Sequence, residues 1–442
     1  MANRRKRTRF RALTARNFQT IADFACVSKD DLFAMKVVSA VLPFRTNPYV
    51  IENLIDWDRI PDDPVYQLVF PQKDMLEEAD FAQIADLMVR DAPDAEIRRA
   101  AGRIRARLNP HPAGQMELNI PSVDDDVDDV IEGIQHKYRE TILFFPSQGQ
   151  TCHAFCTFCF RWAQFVGDED LKIASTNAIG LHQYIAAHRE LSDLLVTGGD
   201  PMIMKTRVME RYLRPLINDP RFDHIRNIRI GTKSLTFWPH RFVSDGDADD
   251  MLRLFEDVVK SGRHLALMAH FNHWQEMRTE TVREALRRIR ETGVVIRTQA
   301  PLLNHVNNDP FVWARMWREQ VNAGLIPYYM FVERDTGAKK YFEVPLVRCW
   351  EVFREAVQQV SGLARTVRGP SMSATPGKVE ILGVQQIAGK KVFVLRFLQG
   401  RDPDWVGRPF FAKYDPQATW LNELRPAFGA DSFFFEKAAV SQ

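Results

Sequence analysis

Residues 151–160 read "TCHAFCTFCF" and hold three of the chain's five cysteines: Cys152, Cys156 and Cys159. Three thiolates are one short of a closed structural zinc site or of a fully cysteine-ligated four-iron cluster. An open metal position follows unless another side chain is recruited, and His153, adjoining Cys152, is the candidate at hand. Free cysteines rarely gather like this without a metal or redox role, and five with clustered spacing do not form the disulfide framework of a secreted domain. The stretch therefore predicts a metal and a reducing compartment.

Just before it lies "TILFFP" (141–146), the first of a series of apolar runs. The others are "DLLVTGG" (193–199), "NIRIGTK" (227–233), "HLALMAHF" (264–271), "VVIRTQAPL" (294–302) and "IPYYMFV" (326–332). Between them, "ADDMLRLFEDVVKSG" (248–262) and "RTETVREALRRIRETG" (278–293) have helical apolar spacing and a closing glycine. Six strand–helix units in series predict a parallel sheet with helices outside it, as an open doubly wound sheet or a full or partial barrel. In both, chemistry sits at the carboxyl ends of the strands. The cysteines, "GGD", "HFNH" and "LLNHVNND" all fall there, which predicts a single shared pocket.

The flanks are less specific. Residues 1–40 open with "MANRRKRTRF", expected to be a basic, solvated arm, and 41–135 read as a helical region ending near the acidic run "SVDDDVDDV" (122–130). That run lacks the glycine and terminal glutamate spacing of a calcium loop. The core is expected over 136–345. In the 346–442 region, "KVEILGVQQIAGKKVFVLRFLQG" (378–400) alternates like a hairpin with "AGKK" as its turn. With 442 residues, 45% apolar, 26% charged and a net charge of +2, the chain has the balance of a globular protein, so no nucleic-acid partner is expected. No run reaches the ~20 apolar residues of a bilayer span and the N-terminus has no apolar signal core, so the cytoplasm is expected.

The C-x3-C-x2-C spacing, with Phe158 before the last cysteine, resembles the signature of the radical S-adenosylmethionine (radical SAM) enzymes. There three cysteines hold a [4Fe-4S] cluster and the fourth iron is left for S-adenosyl-L-methionine. "TGGDP" (197–201) is similar to the glycine element meeting the amino end of that molecule, which implies roles for Gly198, Gly199 and Asp200. A glycine pair ending a strand is, taken alone, most often a turn.

The chain further resembles the lysine 2,3-aminomutase family, through "NPYV" with "LIDWDRIPDDPV" (47–65), "HKY" (136–138), the cysteine motif, "LLVTGGD" (194–200), "IRIGTKSLTFWPHRF" (228–242), "HFNHWQE" (270–276), "TQAPLLNHVNND" (298–309), "PYYMF" (327–331) and "VSGLARTVRGPSMSATPGK" (360–378). The resemblance implies an α/β fold: a radical SAM partial (β/α)6 barrel with a helical N-terminal region and a C-terminal β-hairpin extension. It adds pyridoxal 5'-phosphate, with Lys378 as the Schiff-base lysine, although "SATPGK" replaces the family's glycine run. Arg161 is implied for the substrate carboxylate, Lys137 and Tyr138 for the coenzyme, and His270 for the cofactor pocket.

Two aspartates that meet the side-chain ammonium in lysine-specific members are absent, since Asn308 and Ser371 stand at those positions. A substrate other than free lysine is therefore expected, and Arg365 or Arg368 is a candidate partner for a side-chain carboxylate. The zinc-binding cysteines of some members are also missing, which leaves Cys26 and Cys349 as reduced structural thiols. The resemblance implies a small amino-acid substrate, an electron donor such as flavodoxin or ferredoxin, and a homo-oligomer. Alternatives are action on a protein-bound lysine, as in the elongation-factor branch, and a non-enzymatic metal protein binding nucleic acid through its basic N-terminus.

Overall fold

All six apolar runs form strands, each within three residues of its expected limits: Thr141–Phe144, Asp193–Val196, Asn227–Thr232, His264–His270, Val295–Leu302 and Ile326–Val332. The computed structural model describes residues 9–25, 27–109, 119–121, 130–167 and 173–438. The chain forms two compact units. The first comprises the described residues up to Phe271 with Gln275–Arg297 and Thr336–Ala338; the second comprises Asn272–Trp274, Thr298–Asp335 and the residues from Lys339 onward. The fold is mixed α/β with a large parallel sheet.

In the first unit the strands Asn119–Pro121, Val130–Tyr138, Thr141–Phe144, Asp193–Val196, Asn227–Thr232 and His264–His270 lie side by side in chain order. The last four are parallel. Their Leu, Ile and Val side chains are buried: Ile142, Leu194, Val196, Ile228, Ile230 and Leu267 have no exposure. Each crossover carries a helix whose apolar stripe explains its packing. Helix Glu280–Glu291 buries Val282, Ala285, Leu286 and Ile289, which share one face at the 3.6-residue period. Thr279 caps its start by accepting the Val282 amide, and Gly293 follows its end at φ +86°.

The second unit arranges Ile326–Val332, Arg368–Ala374, Gly377–Ile387, Lys390–Gly400 and Pro409–Lys413 in that order. The first pair is parallel and the rest antiparallel. The strands Gly377–Ile387 and Lys390–Gly400 meet at Ala388-Gly389, both at positive φ as a two-residue hairpin turn requires.

Two expectations are corrected. Residues 13–40 are not a solvated arm: Leu13–Thr14 pairs with Arg45–Thr46, and the helices Phe18–Ala25 and Lys29–Val41 bury Ile21, Leu32, Met35, Val37 and Val38. "HKY" ends a strand, Val130–Tyr138, rather than a helix. Of the acidic run, residues 122–129 lie outside the described residues, as do residues 1–8 of the basic N-terminus and Cys26. No helix among the described residues is long and apolar enough to cross a membrane.

Candidate functional site

The cysteine loop follows the strand Thr141–Phe144 at its carboxyl end, and sequence-distant residues hold its backbone. The Phe155 amide donates to the Arg45 carbonyl at 2.8 Å, and the Thr157 amide to the Leu68 carbonyl at 3.0 Å. The fully buried Asn47 donates through Nδ2 to the carbonyls of His153 (3.1 Å) and Phe237 (3.0 Å). Within the loop the Cys159 amide reaches back to the Cys156 carbonyl, a tight turn that brings the last two cysteines together. All three are half-buried.

Burial pushes the Cys152 and Cys156 thiols far up, and the charges of the other cysteines and of Asp200 add to this. Arg45 opposes the shift at Cys152, and Lys233 at Cys156. Three mutually repelling thiolates in one loop are a donor set that a cationic iron centre satisfies, so these residues fit a cluster. His153 does not belong to it. Its Nδ1 faces Ser234 Oγ at 2.9 Å, its ring packs between Phe10 and Trp238, and burial holds its pKa down to about 3.

Gly198 and Gly199 bring the end of the next strand against this loop. Gly198 has φ +140°, and a Cβ on Gly199 would sit 2.5 Å from the Thr151 amide nitrogen and carbonyl oxygen. Asp200, implied at the same element, is tied into the protein. Only 2% exposed, its carboxylate accepts from Thr232 Oγ1, Ser234 Oγ and the amides of Lys233 and Met202, which commits it to joining two strand ends.

At the carboxyl end of His264–His270, His270 is held neutral, its pKa lowered to about 3 by burial and then by Lys233. Lys233 itself forms a 2.6 Å pair with the fully buried Glu276 and reaches the His270 carbonyl. This pair went unread in the sequence although both residues fall inside quoted stretches, because no spacing marks two residues 43 positions apart as partners. Arg161 lays its guanidinium over Phe145, 4.4 Å from the ring centre, at the same end of the strands. Phe158 sits half-buried on the loop.

Lys137 and Tyr138, implied for the coenzyme, end the strand Val130–Tyr138. Their strand runs antiparallel to Thr141–Phe144, with Tyr138 opposite Thr141, at the amino ends of the parallel strands. At about 3.3 Å per residue they stand roughly 10 Å from the edge that carries the cysteines, so they do not line that end.

In the second unit, Lys378 follows a two-residue turn, Thr375-Pro376, that pairs Ser373 with Lys378. The turn takes the place of the family's glycine run, with Gly377 at φ +150°. Lys378 Nζ lies 4.1 Å from the Tyr329 ring centre and 5.3 Å from that of Phe331. Ser371 is fully buried, and its hydroxyl has no hydrogen-bond partner. Asn308, at one of the implied substrate positions, accepts from Arg348 at its side-chain oxygen (3.2 Å) and its carbonyl (3.4 Å), which ties it to a neighbouring helix. Arg365 donates to the Val360 carbonyl, whereas Arg368 reaches the Tyr329 hydroxyl and so shares that ring with Lys378. Cys349 is a buried thiol whose pKa burial raises to about 12.

No family model matches the chain. Among curated relatives, a "Putative L-lysine 2,3-aminomutase" of Aquifex aeolicus is 30% identical over 398 residues, 90% of this chain and 91% of the relative. The "L-lysine 2,3-aminomutase" of Escherichia coli is 30% identical over 256 residues, 56% of this chain and 69% of that one. The "Glutamate 2,3-aminomutase" of Clostridioides difficile is 27% identical over 251 residues, 57% and 56%. Among solved structures, Streptococcus suis SuiB bound to the precursor peptide SuiA gives a TM-score of 0.35 at 12% identity over 60% of this chain and 52% of that one, too slight a likeness to bear on the fold.

Proposed function

The chain belongs to the lysine 2,3-aminomutase family of the radical S-adenosylmethionine superfamily, and on that premise we propose that it is a pyridoxal-phosphate-dependent amino-acid 2,3-aminomutase whose substrate is not free lysine. The observation that carries the reading is the loop of three half-buried cysteines, with the His153 Nδ1 engaged by Ser234. We include in the proposal a partial-barrel architecture, a flavodoxin or ferredoxin as electron donor, a homo-oligomeric state and a cytoplasmic setting.

When bound, the iron–sulfur cluster with S-adenosylmethionine supplies one-electron chemistry, and pyridoxal phosphate supplies a ring through which an amino group can migrate. The protein's own residues bind and orient. Cys152, Cys156 and Cys159 hold iron through their sulfurs. Arg161, steadied on Phe145, offers a planar fork to a carboxylate. His270, held neutral, donates or accepts a hydrogen bond without carrying charge. Lys378 is the amine for the coenzyme, presented by a tight turn against the aromatic pair Tyr329 and Phe331. The residues thus fit both cofactors in part: three sulfur ligands for one and a fixed amine on an apolar face for the other.

Substrate choice follows from what is missing. A buried ammonium with no carboxylate partner is costly, and neither Arg348-bound Asn308 nor the Ser371 hydroxyl supplies one. Arg368, beside Lys378 on Tyr329, favours a side-chain carboxylate. A charge-assisted contact contributes ~1.5–3 kcal/mol, or roughly tenfold to a hundredfold in preference.

Anaerobic incubation of the reconstituted enzyme with lysine, glutamate, glutamine and arginine should give β-amino product from glutamate in preference to lysine, with the preference lost in Arg368→Ala. Efficient turnover of lysine by the parent would refute the argument from the absent aspartates. Borohydride reduction should leave the coenzyme on Lys378 by peptide mapping; a label on another lysine overturns that assignment.

A further inference from the structure

Arg45 lies about a hundred residues before the cysteines and belongs to none of the chemistry described so far, yet it touches their loop twice. Its backbone is fixed in a two-residue strand, where Arg45 pairs with Thr14 and Thr46 with Leu13. Its carbonyl accepts the Phe155 amide, so it anchors the residue preceding Cys156. Its Nη1 donates to Thr151 Oγ1, so it also anchors the residue preceding Cys152. The guanidinium stands 5.6 Å from the Phe10 ring centre and 5.9 Å from that of Phe155, an aromatic slot that limits its motion. Its Nε is buried and has no hydrogen-bond partner.

A buried N–H on a permanent cation is rarely left unmatched. What the surrounding loop offers is sulfur: Cys152 is the next residue after the anchored Thr151, and the two side chains act on each other electrostatically. Hydrogen bonds and positive charge at the sulfurs of an iron–sulfur cluster stabilise its reduced, more negative state and raise its potential.

We propose that Arg45 is a positioning residue for the cluster, its Nε–H donating to a cluster-bound sulfur and its charge raising the cluster's reduction potential. This rests on the reading of Cys152, Cys156 and Cys159 as iron ligands.

The test is a redox titration, followed by electron paramagnetic resonance, of the anaerobically reconstituted full-length protein and of Arg45→Met and Arg45→Lys, with iron content measured on each. In Arg45→Met the ratio of reduced to oxidised cluster at a fixed poise is expected to fall at least tenfold, which for a one-electron couple is 59 mV toward more negative potential. Arg45→Lys keeps the charge and loses the Nε–H, so its midpoint should fall between the two. Parental midpoints in both variants, with iron content intact, would overturn the proposal, because a purely structural role does not move a potential. Should Arg45→Met fail to retain iron, Arg45→Lys decides: a parental midpoint there overturns the hydrogen bond and a lowered one supports it. A parent that takes up no iron would instead overturn the cluster reading itself.

Discussion

Cys156→Ala is expected to lose the iron and the S-adenosylmethionine cleavage together. The anaerobically reconstituted parent should carry close to four irons per chain, and the variant a background amount, since a thiolate ligand has been removed from a set of only three. The fold should survive. Cys156 is half-buried, and the turn through it depends on its carbonyl, which alanine keeps. Iron and sulfide analysis, release of 5′-deoxyadenosine on reduction, and circular dichroism check the three parts. Full iron retention by the variant would show that Cys156 is no ligand, and stoichiometric zinc with no iron in the parent would remove the radical chemistry altogether.

Gly199→Ala should be nearly as damaging, for a different reason. The added methyl would lie 2.5 Å from the Thr151 amide nitrogen and carbonyl oxygen, and these are backbone atoms that cannot rotate aside. The Asp200 amide bonds to that same Thr151 carbonyl at 2.7 Å, so the two segments cannot separate without breaking it. Overpacking against fixed backbone should cost at least about 3 kcal/mol and push the cysteine loop off its supports. A denaturant titration should show a large fall in midpoint, accompanied by poor iron retention. Gly231→Ala is the control, because its methyl would meet Thr197 Oγ1 at an ordinary 3.5 Å. Parental stability in Gly199→Ala would mean that this close approach is not a constraint.

These two positions mark where the sequence could and could not be read. The cysteines were legible because their spacing is itself the chemistry, and the strands because runs such as "DLLVTGG" need burial on both faces. Gly199 was legible only as a glycine: a string of letters records the absence of a side chain but not the Thr151 backbone that requires it. Nor does the sequence show the four protein donors that meet the Asp200 carboxylate. The end of the sheet that Lys137 and Tyr138 occupy was not legible, because alternation gives a strand's faces and not its direction, which only the antiparallel pairing reveals. The order of the N-terminal segment was not legible because a basic opening is compatible with a solvated arm, and the burial of Ile21, Leu32 and Val38 depends on tertiary packing. Asn308 and Arg348 are joined by hydrogen bonds across 40 residues, which leave no periodic trace.

The grip of the N-terminal region on the cysteine loop bears on how the protein assembles. Gln67 bonds Thr157 across 90 residues of chain, and Asn47 bonds His153 across 106. Closing a loop of about 100 residues costs on the order of 4 kcal/mol in chain entropy beyond a constant, so these contacts form late, with the rest of the unit rather than before it. The supports nonetheless leave the ribosome before the loop does, and they are waiting when residues 151–160 emerge. Their bonds run entirely between protein atoms. A loop held by such bonds is expected to keep its backbone course whether or not a metal is bound, unlike the small zinc modules that stay unfolded until their ion binds.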